Sequence, residues 1–221
     1  MPSLPLFPLG NVLLPGARMP LQLFEPRYLE LAQHLAARAE DERTFGVVLI
    51  RHGHEVGPDA AGDLHEIGCE ARVDAMAVAP ASRGAVVHLV ATGVRRFRLA
   101  GLDEAAGTPY LTGRVEWLEE APPAGDPDVP GLLAAVHAAH RRYLATLGAD
   151  VEPVEEVPAR AAYRVVEQMV LDPADRQRVL EGADTATRLR TVLALLRRET
   201  AIVDRFSALP TPPDPGGAAL N

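Results

Sequence analysis

A chain of 221 residues in which 30 acidic side chains outnumber 22 basic ones carries a formal charge of −8, which disfavours general attraction to a nucleic-acid backbone. All of the basic residues are arginine, so every mechanism that needs an ε-amine is excluded. With 48% apolar and 24% charged residues the composition is that of an ordinary globular protein, long enough to bury a core as one large domain or two small ones.

Residues 4 to 24 read as two strands around a turn region at Asn11 to Gly16, where Pro15-Gly16 breaks the chain. Leu21 and Leu23 alternate with Gln22 at the period of a half-buried strand, and Pro26 then fixes φ for a first helical turn. Tyr28, Leu31, Leu35 and Ala39 recur at three and four residues, which predicts an amphipathic helix from Pro26 to about Ala39, ended at the surface by Glu40 to Arg43. Phe45 to Ile50 is an apolar run of strand length, followed by a Gly- and Pro-containing loop from Arg51 to Asp63.

Leu64 to Ala79 alternates again, with Ile67, Cys69, Ala71 and Val73 on one face and Glu66, Glu70, Arg72 and Asp74 largely on the other. Ala81 to Gly84 is a hairpin turn candidate. Ala85 to Thr92 and Val94 to Ala100 read as two strands separated by Gly93, and Tyr110 to Leu118 as the last. Short strands at close spacing with turns between them argue for a small closed or partly closed barrel.

Prolines and glycines crowd together from Glu119 to Gly131, which reads as a stiff linker at about 121–131 between a barrel at 1–120 and helices at 132–208. Leu132, Val136, Tyr143 and Leu147 step along one helical face, and Gly148 is a natural stop. Pro158 opens a second helix carrying Ala162, Val165, Val166, Met169 and Val170. Asp172 and Pro173 start a short helix ended by Gly182, and Asp184 caps a last one striped by Leu189, Val192, Leu193, Leu196 and Ile202. Residues 209–221 show no periodicity and read as a disordered tail.

Residues that could carry chemistry are few. His52, His54 and His65 flank the Gly-rich loop, but a metal needs three or four ligands in fixed geometry and such a loop offers little of that; His137 and His140 share a helix, where His140 reads as packed. Neither group is taken as a metal site, and no cofactor is expected. Serine occurs only at Ser3, Ser82 and Ser207, none in a nucleophile elbow, and Cys69 sits among apolar neighbours where a thiol is inert. The pairs Glu119-Glu120 and Glu155-Glu156 read as solvated acidic surface. Arg95, Arg96 and Arg98, with Arg72 and Arg114, could form one basic face, either a charged strand edge or a set of phosphate contacts. One cysteine cannot close an intramolecular disulfide and fits a reducing cytoplasm; no apolar run approaches the roughly 20 residues that span a bilayer.

The order Pro5-Leu-Phe-Pro-Leu9, Asn11 to Gly16, Pro20-Leu21, Phe24-Glu-Pro-Arg-Tyr28, Phe45 to Ile50, Glu66 to Cys69, Gly93 to Arg98 and Pro109-Tyr-Leu111 resembles the N-terminal, substrate-recognition domain of Lon proteases, from about Leu4 to Phe206. The resemblance implies an α+β fold, a PUA-like β-barrel followed by a helical bundle. It also implies a role in recognising other proteins. Lon-type peptidase chemistry uses a Ser-Lys dyad and its ATPase a Gly-Lys-Ser/Thr loop; these 221 residues hold neither, so the expectation is a stand-alone, non-enzymatic recognition module.

Its ligands would be exposed apolar or extended polypeptide segments, held by strand addition to a barrel edge or in a groove between barrel and helices. Candidate binding residues are Leu13, Leu14, Met19, Phe24, Glu25, Arg27 and Tyr28. Glu25 and Arg27 have a structural reading beside this one, as a pair fixing the corner where strand meets helix. Two alternatives stand beside it: a PUA-like RNA-binding protein using Arg95, Arg96 and Arg98, and a hydrolase with an unfamiliar site.

Overall fold

Seven strands and five α-helices follow from the apolar periodicities, in a computed structural model that describes residues 1–52, 63–81, 84–120, 127–149 and 157–207. The strands are β1 (Ser3–Leu9), β2 (Arg18–Leu23), β3 (Thr44–His52), β4 (Asp63–Leu64), β5 (Ile67–Ala81), β6 (Gly84–Leu102) and β7 (Thr112–Trp117). The helices are α1 (Pro26–Ala36), α2 (Asp128–Thr146), α3 (Pro158–Glu167), α4 (Pro173–Glu181) and α5 (Thr185–Ser207).

Five strands close a ring in the order β1-β7-β6-β5-β3, and the parallel pairing of β1 with β3 returns it to its start. Closure works because β1 divides its length: Ser3 to Pro5 pair antiparallel with β7, while Leu6 to Leu9 pair with Gly46 to Leu49. Such stagger is what a barrel of tilted strands requires. β4 borders β3, and β2 lies outside the ring on the N-terminal half of β6. The fold is therefore α+β, with a barrel at its N-terminal end, as the sequence predicts.

Alternation gives the barrel strands an inner and an outer face, both largely buried except on β7, where Arg114 and Glu116 face water. Inward point Leu4, Leu6, Val48, Phe97 and Val115, with Leu99 and Trp117 against them. Room for Phe97 comes from glycine: a Cβ on Gly46 would stand 2.8 Å from its ring, and one on Gly68 2.5 Å. Outward point Phe7, Leu9, Phe45, Val47, Ile67, Cys69 and Ala71, which join α1 and the helical part in one continuous apolar core. That core runs on through Val136, Tyr143, Val165, Leu189, Val192 and Leu196.

The structure amends several boundaries. Ala85–Thr92 and Val94–Ala100 are one strand of 19 residues, because Gly93 serves a different purpose from a break. Its N–H donates to the Ala17 carbonyl (2.9 Å), its carbonyl accepts from Gly16 (2.8 Å), and a Cβ there would overlap the Leu14 carbonyl. β5 continues to Ala81, and Leu64 belongs to β4. α1 stops at Ala36, where Arg43 Nε reaches the Arg38 carbonyl (3.1 Å) and a short 3-10 turn at Glu40–Glu42 turns the chain away. α2 begins at Asp128, so Pro130 and Gly131 lie in its first turn, where proline costs no internal hydrogen bond, instead of in the linker expected at 121–131; residues 121–126 lie outside the described residues.

Helix caps follow the sequence closely. Asp172 Oδ1 accepts from the Asp175 amide (2.8 Å), Asp184 Oδ1 from the Thr187 amide (2.7 Å), and Gly148 takes the left-handed φ of +65°. Met169 and Val170, assigned to the second helix, lie beyond the end of α3, and Val170, Leu147 and Ile202 are exposed instead of buried. The tail at 209–221 and His54 lie outside the described residues.

Candidate functional site

β1 and β2 meet the start of α1 at a corner, and there the surface opens into a cleft of about 200 Å³. Phe7, Pro8 and Leu9 line it from β1, Pro20, Leu21 and Gln22 from β2, and Phe24, Glu25 and Tyr28 from the corner itself. Its floor is rigid: the Phe7 and Tyr28 rings lie 4.2 Å apart between centroids, and Phe7 meets Phe45 edge-on at 6.2 Å. Its rim is Phe24, 56% exposed, a large apolar side chain standing in water directly after the buried Leu23. Arg27 Nη2 donates to Glu25 Oε2 (3.0 Å), and its guanidinium lies 4.7 Å from the Tyr28 centroid, so the wall is fixed by a pair local to the corner.

Of the residues the sequence singles out, Phe24, Glu25 and Tyr28 border this cleft and Arg27 braces it. Leu13 and Leu14 do not: they are 2% and 0% exposed, buried where the lead-in passes under β6. Met19 is half-buried and packs against the core. Phe7, Pro8, Leu9, Pro20, Leu21 and Gln22 escaped the sequence reading. Pro20 held the available signal, since proline inside a strand marks an edge, and among the described residues β2 pairs only with β6.

The arginine cluster is no open basic face. Arg95 Nε donates to Glu70 Oε2 (2.7 Å) and its guanidinium stacks 3.6 Å from the Trp117 centroid, while Arg98 stands 3.6 Å from Glu66. Glu70 is itself buried, contrary to its assignment to the polar face of β5. Arg96 is 2% exposed and faces the helices. Its Nε donates to Glu120 Oε1 (2.5 Å) and its Nη1 to the Leu180 and Gly182 carbonyls (both 2.8 Å). Glu120 Oε2 accepts from Tyr163 Oη (3.0 Å) and lies 3.3 Å from Arg188 Nη2, so a glutamate expected in solvated surface joins β6, α3 and α5. Arg72 and Arg114 are exposed.

Nucleophiles and ligands are scattered. Ser3 Oγ donates to Asp103 Oδ2 (2.8 Å) at the surface, and Ser82 and the side chain of Ser207 lie outside the described residues. Burial pushes the Cys69 thiol far above its ordinary range, and the nearby Glu120 carboxylate adds to the shift. His52 turns to Asp63 (3.4 Å) and His65 to Glu181 on α4 (3.0 Å); His140 is packed in the helical part, and burial holds its imidazole below the usual range. Among the described residues no three His, Cys, Asp or Glu side chains group as metal ligands, and no helix is long and apolar enough to cross a membrane.

Residues 3–198 match the family model of the ATP-dependent protease La (LON) substrate-binding domain. The chain belongs to this family. The Lon protease of Anaeromyxobacter dehalogenans and Lon protease 2 of Myxococcus xanthus are each 29% identical to it over 90% of its length, and the chain covers 24% of either protein. It thus spans about a quarter of the length of the curated relatives it matches. Among solved structures, a Lon N-terminal domain protein from Xanthomonas campestris superposes with a TM-score of 0.62 at 29% identity, covering 88% of this chain and 98% of that one. The N-terminal domain of the Mycobacterium avium complex Lon protease shares the fold, with a TM-score of 0.59 at 18% identity, covering 90% of this chain and 98% of that one.

Proposed function

We propose that this LON-type domain holds extended apolar segments of other proteins in the cleft between β1, β2 and the Phe24 corner, and performs no cleavage itself. The exposed Phe24 ring beside an apolar cleft carries this reading. A segment laid along β2 would hydrogen-bond through its backbone, and its side chains would meet Phe24, Pro20 and Leu21. The sequence supports the absence of cutting chemistry, because arginine cannot replace the lysine that a Ser-Lys dyad or a phosphate-binding loop needs. RNA binding is disfavoured by the pairing of Arg95, Arg96 and Arg98 with carboxylates. A single cysteine, unable to close an intramolecular disulfide, fits a reducing compartment such as the cytoplasm.

Fluorescence polarisation with a labelled, permanently unfolded polypeptide tests the proposal. Phe24→Ser should weaken binding about tenfold, on the order of 1.4 kcal/mol, with folding unchanged. Equal affinity for the variant would remove the cleft from the function. Degradation of casein by the purified chain alone would overturn the non-catalytic reading.

A further inference from the structure

β5 is much longer than the strand beside it. Thr44 to Val47 of β3 cover its outer edge only as far as Arg72, with one further bond from the Val73 amide to the Arg43 carbonyl (2.9 Å). From Asp74 onward the inner edge stays paired with β6, through Ala75↔Val90, Met76↔Leu89, Ala77↔His88 and Val78↔Val87, while among the described residues the outer edge has no partner. The uncovered sequence is Asp-Ala-Met-Ala-Val-Ala-Pro, without a charge between Asp74 and Pro80. Free edges are ordinarily guarded by charge, bulges or a covering element, and this one has Asp74 at one end and Pro80 at the other.

Side-chain rows across the sheet show what the edge lacks. Leu23, Val87 and Val78 form one row on the core-facing side, and exposure along it rises from 2% to 6% to 71%. The next row, Leu21, Leu89 and Met76, lies on the same side. An apolar stripe therefore runs out of the core and stops in water at Val78, where one more strand would continue it.

We infer that a second copy of this chain supplies that strand, β5 pairing antiparallel with β5 about a twofold axis through Ala77. In that register Met76 stands opposite the other copy's Val78 on the core-facing side, so both truncated rows are extended. Ala75 meets Ala79 on the opposite face, where small side chains let the strands approach. Asp74 falls opposite Pro80, so no like charges meet, which matters for a chain carrying −8. The same strip serves both partners, as a closed twofold contact demands. A contact of this length falls below the roughly 1,200 Å² of standard interfaces, so the dimer is weak and reversible.

Sedimentation velocity over about a hundredfold range of concentration should show the mass rising from monomer toward dimer. Val78→Lys should raise the dissociation constant by about tenfold or more while leaving the melting temperature unchanged. Ala77→Cys should cross-link to itself on mild oxidation, since paired residues on the axis stand about 4.5–5.5 Å apart at Cα, within disulfide reach. The native Cys69 is buried and stays silent, and Glu116→Cys, exposed on β7, should not cross-link. A monomer at every concentration overturns the inference, as does a dimer indifferent to Val78→Lys or equal cross-linking at Glu116→Cys. A chain that stays monomeric while an Ala/Val-rich extended peptide shifts the Ala75 to Val78 amide resonances would give the edge to another polypeptide and overturn it too.

Discussion

The protein uses glutamate, arginine and tyrosine together in two places, to opposite ends. At the corner, Glu25, Arg27 and Tyr28 lie within four residues of one another and brace the local turn, Tyr28 buried and the Arg27 and Glu25 side chains 22% and 17% exposed. At the joint, Glu120 gathers Arg96 from β6, Tyr163 from α3 and Arg188 from α5, with both guanidiniums buried. Identical chemistry gives a local brace in one case and a cross-brace between distant elements in the other, because desolvation and sequence separation set what a charge pair is worth. The joint cannot lose a partner without stranding a buried charge.

The strongest way to break this contrast is Glu120→Ala. It leaves two buried guanidiniums without their carboxylate and should cost about 3–5 kcal/mol in urea or thermal unfolding, with Glu120→Gln costing less. Phe24→Ser acts at the other pole: stability should move by no more than about 0.5 kcal/mol while affinity for unfolded polypeptide falls about tenfold. A loss of stability equal to that of Glu120→Ala would show that the corner is structural.

Acid should separate the two regions further. His140 is buried in the helical part, and burial, then the neighbouring His137, lowers its pKa from the ordinary 6.5. In the unfolded chain the imidazole takes up a proton near 6.5, so below that pH the unfolded state binds more protons than the folded one. The stability this group contributes is present above pH 6.5 and drains away as the pH falls toward its lower folded value. Melting followed between neutral and mildly acidic pH should show that decline, and His140→Leu should flatten it. The smallest effect belongs to Arg27→Ala, which removes a partly exposed pair and should change stability by about 1 kcal/mol or less. A larger change would mean that the corner is braced as firmly as the joint.

Much of this was legible in the residues. Strand alternation, Pro26, the Asp172 and Asp184 caps and Gly148 all act through local sterics and hydrogen bonds, and each appears where the pattern puts it. The failures share a cause. Leu13 and Leu14 are apolar whether they line a groove or a core; Gly93 looks like a strand break whether it ends a strand or admits the Leu14 carbonyl; Arg96 and Arg98 share a side of β6 yet differ in burial because Glu120 and the C-terminal end of α4 close over Arg96. A third of the cleft lining went unnoticed because β1 contributes Phe7 to Leu9 from a distance that periodicity does not measure.

The amino-acid order by itself settled that no lysine chemistry is present in these residues, that a strand-rich half with one helix precedes a helical half, and that the opening motifs are those of a LON substrate-binding domain, since these depend on residue identity and short-range geometry. Which charges are buried, which apolar residues face water and where an edge lies open were decided only by the closed barrel and the helices packed on it. Desolvation depends on every atom nearby, and most of those atoms come from elsewhere in the chain.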